Sequence, residues 1–171
     1  LNYQSMRLQL YSDYEAMDYD PIIAAALDII SDETTSRNEY GETLNINSSD
    51  ENIRKVLHNL FYDVLNIEFN LPTWVRNMCK YGDMYLKLEV SEKFGVYNCI
   101  PLSVYEVVRE EGTDPENPSY VRFTMDPNGL ASGATNTIRR DQFTLENYEV
   151  AHFRLLTDSN YLPYGRAYLE P

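Results

Sequence analysis

Residues 70–90 read NLPTWVRNMCKYGDMYLKLEV, and the spacing of the apolar residues changes halfway along. A cap and a proline, Asn70 and Pro72, open a helix with Trp74, Met78 and Cys79 facing inward, and Gly82 can end it in a left-handed conformation. From Asp83 the period drops to two: Met84, Leu86, Leu88 and Val90 alternate with Tyr85, Lys87 and Glu89, the pattern of a half-buried strand. Helical spacing precedes this point and strand spacing follows it.

Upstream, residues 3–18 place Met6, Leu10, Tyr14 and Met17 about a helical turn apart, which predicts an amphipathic helix. Asp20 as N-cap and Pro21 at the first helical position begin a second helix, with Ile23, Ala26, Leu27 and Ile30 on one face. A turn around Gly41 leads to Leu44 and Ile46, which alternate with polar residues as a short strand does. Ile53, Val56, Leu57, Leu60, Phe61, Val64 and Leu65 then keep the 3, 4 spacing after a serine cap, the clearest helix in the chain.

Downstream, strands are expected in FGVYNCI, SVYEVVRE, YVRFTMD, NTIRRDQF and YEVAHFRLL, separated by the turn formers of EGTDPENPS and DPNGLASGAT. The last twelve residues, NYLPYGRAYLEP, read as a turn and then the first turns of a helix from Tyr164. Helices first and mostly antiparallel strands later make an α+β arrangement. It has a helical part at 1–82, a β part at 83–157 and a turn with a starting helix at 158–171. The chain opens on Leu1 and is in patterned sequence within a few residues, so it reads as a piece of a larger polypeptide.

The 171 residues suit one domain or two small ones, with a hydrophobic fraction of 43%. No apolar run approaches the roughly 20 residues that span a bilayer, and no signal peptide pattern occurs. Cys79 and Cys99 lie in helix and strand patterns and read as buried reduced thiols. With 27 acidic and 14 basic residues the net charge is −13, which disfavours gripping nucleic acid through phosphate neutralisation but suits a surface that DNA slides past.

No motif carries enzymatic chemistry. The acidic cluster Asp13, Glu15, Asp18 and Asp20 lacks the central glycine of an EF-hand loop and reads as a solvated helix face. GLASG at 129–133 lacks the spacing and the lysine of a P-loop. His58 and His152 stand outside any zinc or nucleophile motif and read as packing histidines. Arg139 and Arg140 read as ordinary strand arginines, and the fifteen tyrosines favour a protein interface. Neither a cofactor nor a metal is called for.

Residues 14–35 (YEAMDYDPIIAAALDIISDETT), 60–90 (LFYDVLNIEFNLPTWVRNMCKYGDMYLKLEV), 100–112 (IPLSVYEVVREEG) and 148–171 (YEVAHFRLLTDSNYLPYGRAYLEP) together resemble, in order and wording, the portal or head-to-tail connector proteins of contractile-tailed bacteriophages. The matching positions include Trp74, the helix-to-strand junction Lys80, Tyr81, Gly82 and Asp83, and Tyr164, Gly165 and Arg166. The resemblance implies the peripheral wing of a subunit whose next helix runs toward a channel-lining stem. It implies a ring of about twelve copies at one capsid vertex, assembled in the host cytoplasm, through which double-stranded DNA enters and leaves. Its implied partners are the major capsid protein and scaffold, the terminase large subunit and head-completion or tail adaptor proteins, with no membrane and no catalytic residues. Two other readings stay open: a metal-dependent nuclease or hydrolase built on the acidic cluster, and a stand-alone protein-binding adaptor.

Overall fold

The computed structural model describes residues 3–125, 143–155 and 163–170. At its centre is strand β1 (Asp83–Ser91), which pairs antiparallel with β2 (Gly95–Leu102) on one side and β6 (Val150–Arg154) on the other. A second antiparallel sheet has the order β3 (Val107–Glu111), β4 (Val121–Met125) and β5 (Phe143–Glu146). Four helices precede the strands: α1 (Tyr3–Asp18), α2 (Pro21–Thr34), α3 (Glu51–His58) and α4 (Ile67–Tyr81). The α+β expectation therefore holds.

Asp83, Met84, Tyr85 and Leu86 are buried in succession, so the first half of β1 is covered on both faces. Met84 and Leu86 pack with Trp74 of α4. Tyr85, on the opposite face, is fully inaccessible and joins Val107, Phe123, Leu145 and Val150 between the two sheets. The layers are helix, sheet, sheet, and the half-buried strand expected from the alternation becomes a core strand because the second sheet closes over its Tyr85 face.

Helix α1 completes this core with Tyr11 and Tyr14, and its buried stripe is Arg7, Tyr11 and Tyr14. Met6 and Met17, expected to face inward, are exposed. The stripe rotates because a buried arginine, invisible to an apolar pattern, shares the face. Asp20 caps α2 by accepting from the amides of Ile22 and Ile23, and Pro21 stands at its start, as the sequence predicts. Leu27 and Ser31 are its buried residues, Ile23 and Ile30 pack beside them, and Ala26 is exposed.

Leu44 and Ile46 form no strand. Their segment is fastened by a side chain instead: the Glu68 carboxylate accepts from the amides of Thr43 (2.6 Å) and Leu44 (2.9 Å). The same carboxylate sits on the first turn of α4, which starts at Ile67, before the expected cap at Asn70, and carries Pro72 inside it. Asn66 enters that helix in the left-handed region at φ 47°, a conformation asparagine tolerates. Gly82 ends it at φ 84° with its amide on the Met78 carbonyl, as expected.

The long helix expected after Ser48 is capped by Asp50 rather than a serine, and it divides. Helix α3 ends at His58 and a π-helical segment, Asn59–Val64, follows, with the Leu65 amide reaching the Leu60 carbonyl. Residues 163–170 contain bends and one turn, with Glu170 N–H bonded to the Ala167 carbonyl, and no helix from Tyr164. The expected loop at 126–135, Arg139 and Arg140, and most of the strand at 136–143 lie outside the described residues.

Candidate functional site

The polar junction where β1 begins brings several elements of the fold together. The α4 to β1 turn, α1, β3, β6 and the segment 163–170 all send a group into it. Asp83 is 1% exposed, and such a carboxylate is stable only when its oxygens find donors. Its Oδ1 accepts from His152 Nε2 at 2.7 Å and from the Gly165 amide at 2.8 Å, and its Oδ2 lies 3.5 Å from the Tyr11 hydroxyl.

His152 lies directly across from Tyr85 in the β1–β6 register and stacks on its ring. Its Nδ1 is 3.1 Å from Nη1 of Arg109. A guanidinium only donates, so Nδ1 holds a lone pair, and the proton sits on Nε2, which donates to Asp83. His152 is thus neutral, in agreement with burial lowering its pKa below the ordinary value despite the neighbouring Asp83. Both ring nitrogens are engaged and the side chain is 3% exposed.

Arg7 donates to the Tyr11 hydroxyl through Nη2 at 2.7 Å and Nε at 3.2 Å, and its guanidinium lies over the Tyr164 ring. The Tyr164 hydroxyl accepts the Arg109 amide at 2.9 Å. Two glycines make the close approach possible. A Cβ on Gly165 would overlap the Gly82 carbonyl oxygen, and one on Gly82 would meet the backbone of 165–167 at 2.8 Å. Through this contact the Leu155 amide reaches the Gly82 carbonyl (2.9 Å) and the Tyr168 amide reaches that of Cys79 (3.0 Å).

Of the eight positions singled out in the sequence, Gly82, Asp83, Tyr164 and Gly165 therefore meet in one contact. Tyr81 and Lys80 stand at its rim, where the Tyr81 hydroxyl donates to Glu15 (3.0 Å) and Lys80 pairs with Asp18 (2.9 Å). Trp74 lies apart, under the other face of β1, and Arg166 pairs with Glu170 on the surface. Arg7, Tyr11, Arg109 and His152 were not singled out for this place. The Arg7, Tyr11, Tyr14 spacing in α1 was the one signal available.

The acidic cluster does not converge. Asp13 accepts from Gln9, Glu15 from Tyr81, and Asp20 caps α2. Asp18 is held by Arg76 through two bonds (2.8 and 3.0 Å) and by Lys80. The Arg76 bonds come first among the causes that bring its pKa down to about 2, against burial, with Lys80 adding to the effect. Among the described residues no three His, Cys, Asp or Glu side chains are placed to hold a metal ion, and no described helix is long and apolar enough to cross a membrane. Cys79 and Cys99 are free thiols.

The residues of this junction lie within the region matched by a known family. The model of the Bacteriophage T4-like portal protein (Gp20) family covers residues 7–169. No curated protein matches the sequence significantly.

Proposed function

The chain belongs to the T4-like bacteriophage portal protein family, a structural family of the virion, and on that footing we propose that it forms the wing of a portal subunit. In this reading about twelve copies close into a ring by cyclic symmetry at one capsid vertex. Double-stranded DNA passes through the ring during packaging and ejection. The shell and scaffold, the terminase large subunit and the head-completion or tail adaptor proteins dock on it. The part is mechanical.

The observation that carries this is the family match across 7–169, joined by a junction built as a clamp. Groups that could do chemistry, His152 and Asp83, are locked into each other and into backbone. The clamp ties the segment 163–170 to the base of β1, so that force on that segment is passed to both sheets. Gly82, Asp83, Tyr164 and Gly165 are its fastening points, with Lys80, Tyr81 and Arg166 around them and Trp74 stiffening the helix behind. The net charge of −13 leaves a surface that repels passing DNA.

Antibody labelling of purified phage heads tests the assignment. Label at a single vertex is expected, and label spread over the shell would contradict it.

A further inference from the structure

A cavity of about 340 Å³ lies between α1, α4 and the connection from β2 to β3. Met84, Leu102 and Val104 give it an apolar wall, while Glu15, Tyr81 and Tyr105 supply its polar side. The two tyrosine rings stand edge to face with centroids 6.3 Å apart at 76°, and each meets the Tyr11 ring at 5.5 Å. Tyr11 is itself buried and bonded by Arg7, so the corner the rings make is fixed before anything enters it.

Glu15 is exposed at this corner and accepts from the Tyr81 hydroxyl at 3.0 Å. Burial, and then hydrogen bonding to Glu15, push the Tyr81 and Tyr105 hydroxyls up from their ordinary pKa, so both remain donors. Hydroxyl donors fill part of a carboxylate's roughly four acceptor sites and leave its charge in place. Among the described residues Glu15 forms no ion pair, and the two cations of α4, Arg76 and Lys80, are taken by Asp18. Lys80 passes 5.1 Å from the Tyr81 ring centroid on its way there, which leaves Tyr105 as the ring of the corner without a cation. Residues 8–36 carry no basic residue, so the field along α1 and α2 favours a positive group.

A metal ion would need several oxygen ligands, and this pocket offers one carboxylate. Aromatic rings beside a carboxylate and an apolar wall suit an organic cation instead. Its charged head meets the rings and the carboxylate while its methylenes lie along the wall. We propose that this pocket binds an aliphatic ammonium group, carried by a lysine side chain of another protein or by a free polyamine.

Calorimetric titration of the full-length gene product with Nα-acetyl-lysine methylamide, and separately with spermidine, tests this. A saturable site on each chain is expected. Glu15→Gln keeps an acceptor for the tyrosine hydroxyls but removes the charge, and should weaken binding at least about tenfold. Tyr105→Leu should weaken it about fivefold or more. Asp13→Asn makes the same charge change on α1 at an exposed residue outside the pocket, and its binding should stay within about twofold of the parent. The Glu15 and Asp13 variants should melt within about 2 °C of the parent, since both side chains are exposed. Tighter binding of the lysine compound identifies a protein side chain as the source, and tighter binding of spermidine a polyamine. No saturable site for either probe, or equal weakening by Glu15→Gln and Asp13→Asn, would overturn the inference.

Discussion

His152 donates to Asp83 across 2.7 Å between β6 and β1, and the Gly165 amide donates to the same carboxylate oxygen. One buried carboxylate thus holds a sheet edge and the segment 163–170 together. Removing one partner of a buried pair leaves the other desolvated and unpaired. Asp83→Ala should cost about 1–3 kcal/mol for each of the neutral donors it leaves without an acceptor, His152 Nε2–H and the Gly165 amide. Asp83→Asn should cost less than Asp83→Ala, because its Oδ1 can still accept from both His152 Nε2–H and the Gly165 amide while its Nδ2 faces the Tyr11 hydroxyl. Urea denaturation of each variant measures the loss.

His152 gives the fold a pH dependence with a definite sign. Burial lowers its folded pKa, while the unfolded chain takes up a proton near about pH 6.5. Below that value the unfolded state binds more protons than the folded one, so stability falls with pH in that window and is unaffected by this group above it. Denaturation curves at pH 7.5 and 5.5 should show the drop, and His152→Gln should flatten it.

Asp18 acts lower on the scale and in the usual carboxylate direction. Its folded pKa of about 2 lies under the unfolded value of about 3.9, so its stabilisation is present above that value and is lost as pH falls toward 2. Since the ion cluster touches solvent, the contribution is on the order of 1–2 kcal/mol. Asp18→Asn should remove it at neutral pH and leave stability at pH 2 unchanged.

Gly165 and Gly82 approach too closely for a methyl group at either position. Gly165→Ala should detach the segment 163–170 from the junction, at a cost of about 3 kcal/mol or more. Faster hydrogen exchange at Leu155 and Tyr168, whose amides bond across this contact, would report it.

Tyr85 offers a prediction of opposite sign. Its hydroxyl is buried and has no hydrogen-bond partner among the described residues, so Tyr85→Phe removes a desolvated group without opening space. The variant should be as stable as the parent or more stable by about 1 kcal/mol, as a thermal melt will show.

These residues also mark how far the sequence could be read. The switch of period at Gly82 and the Asp20 and Pro21 start of α2 were legible because each is local: a glycine φ, a cap, a spacing. Asn70 and Pro72 misplaced the start of α4 because its first turn is held by Glu68 reaching residues 43 and 44, a contact with no local signature. Tyr85 looked solvent-facing beside Lys87, and only the second sheet makes it core. Arg7 hid the true face of α1, since no apolar pattern counts a buried arginine. Gly82, Asp83, Tyr164 and Gly165 were singled out by resemblance, but that they touch across 82 residues of chain is information only the fold contains.

The portal assignment is tested most directly by the particle formed by the full-length gene product, viewed by electron microscopy of negatively stained particles with sedimentation for mass. The account predicts a ring with a central hole and about twelvefold symmetry. A compact monomer at every concentration would contradict it.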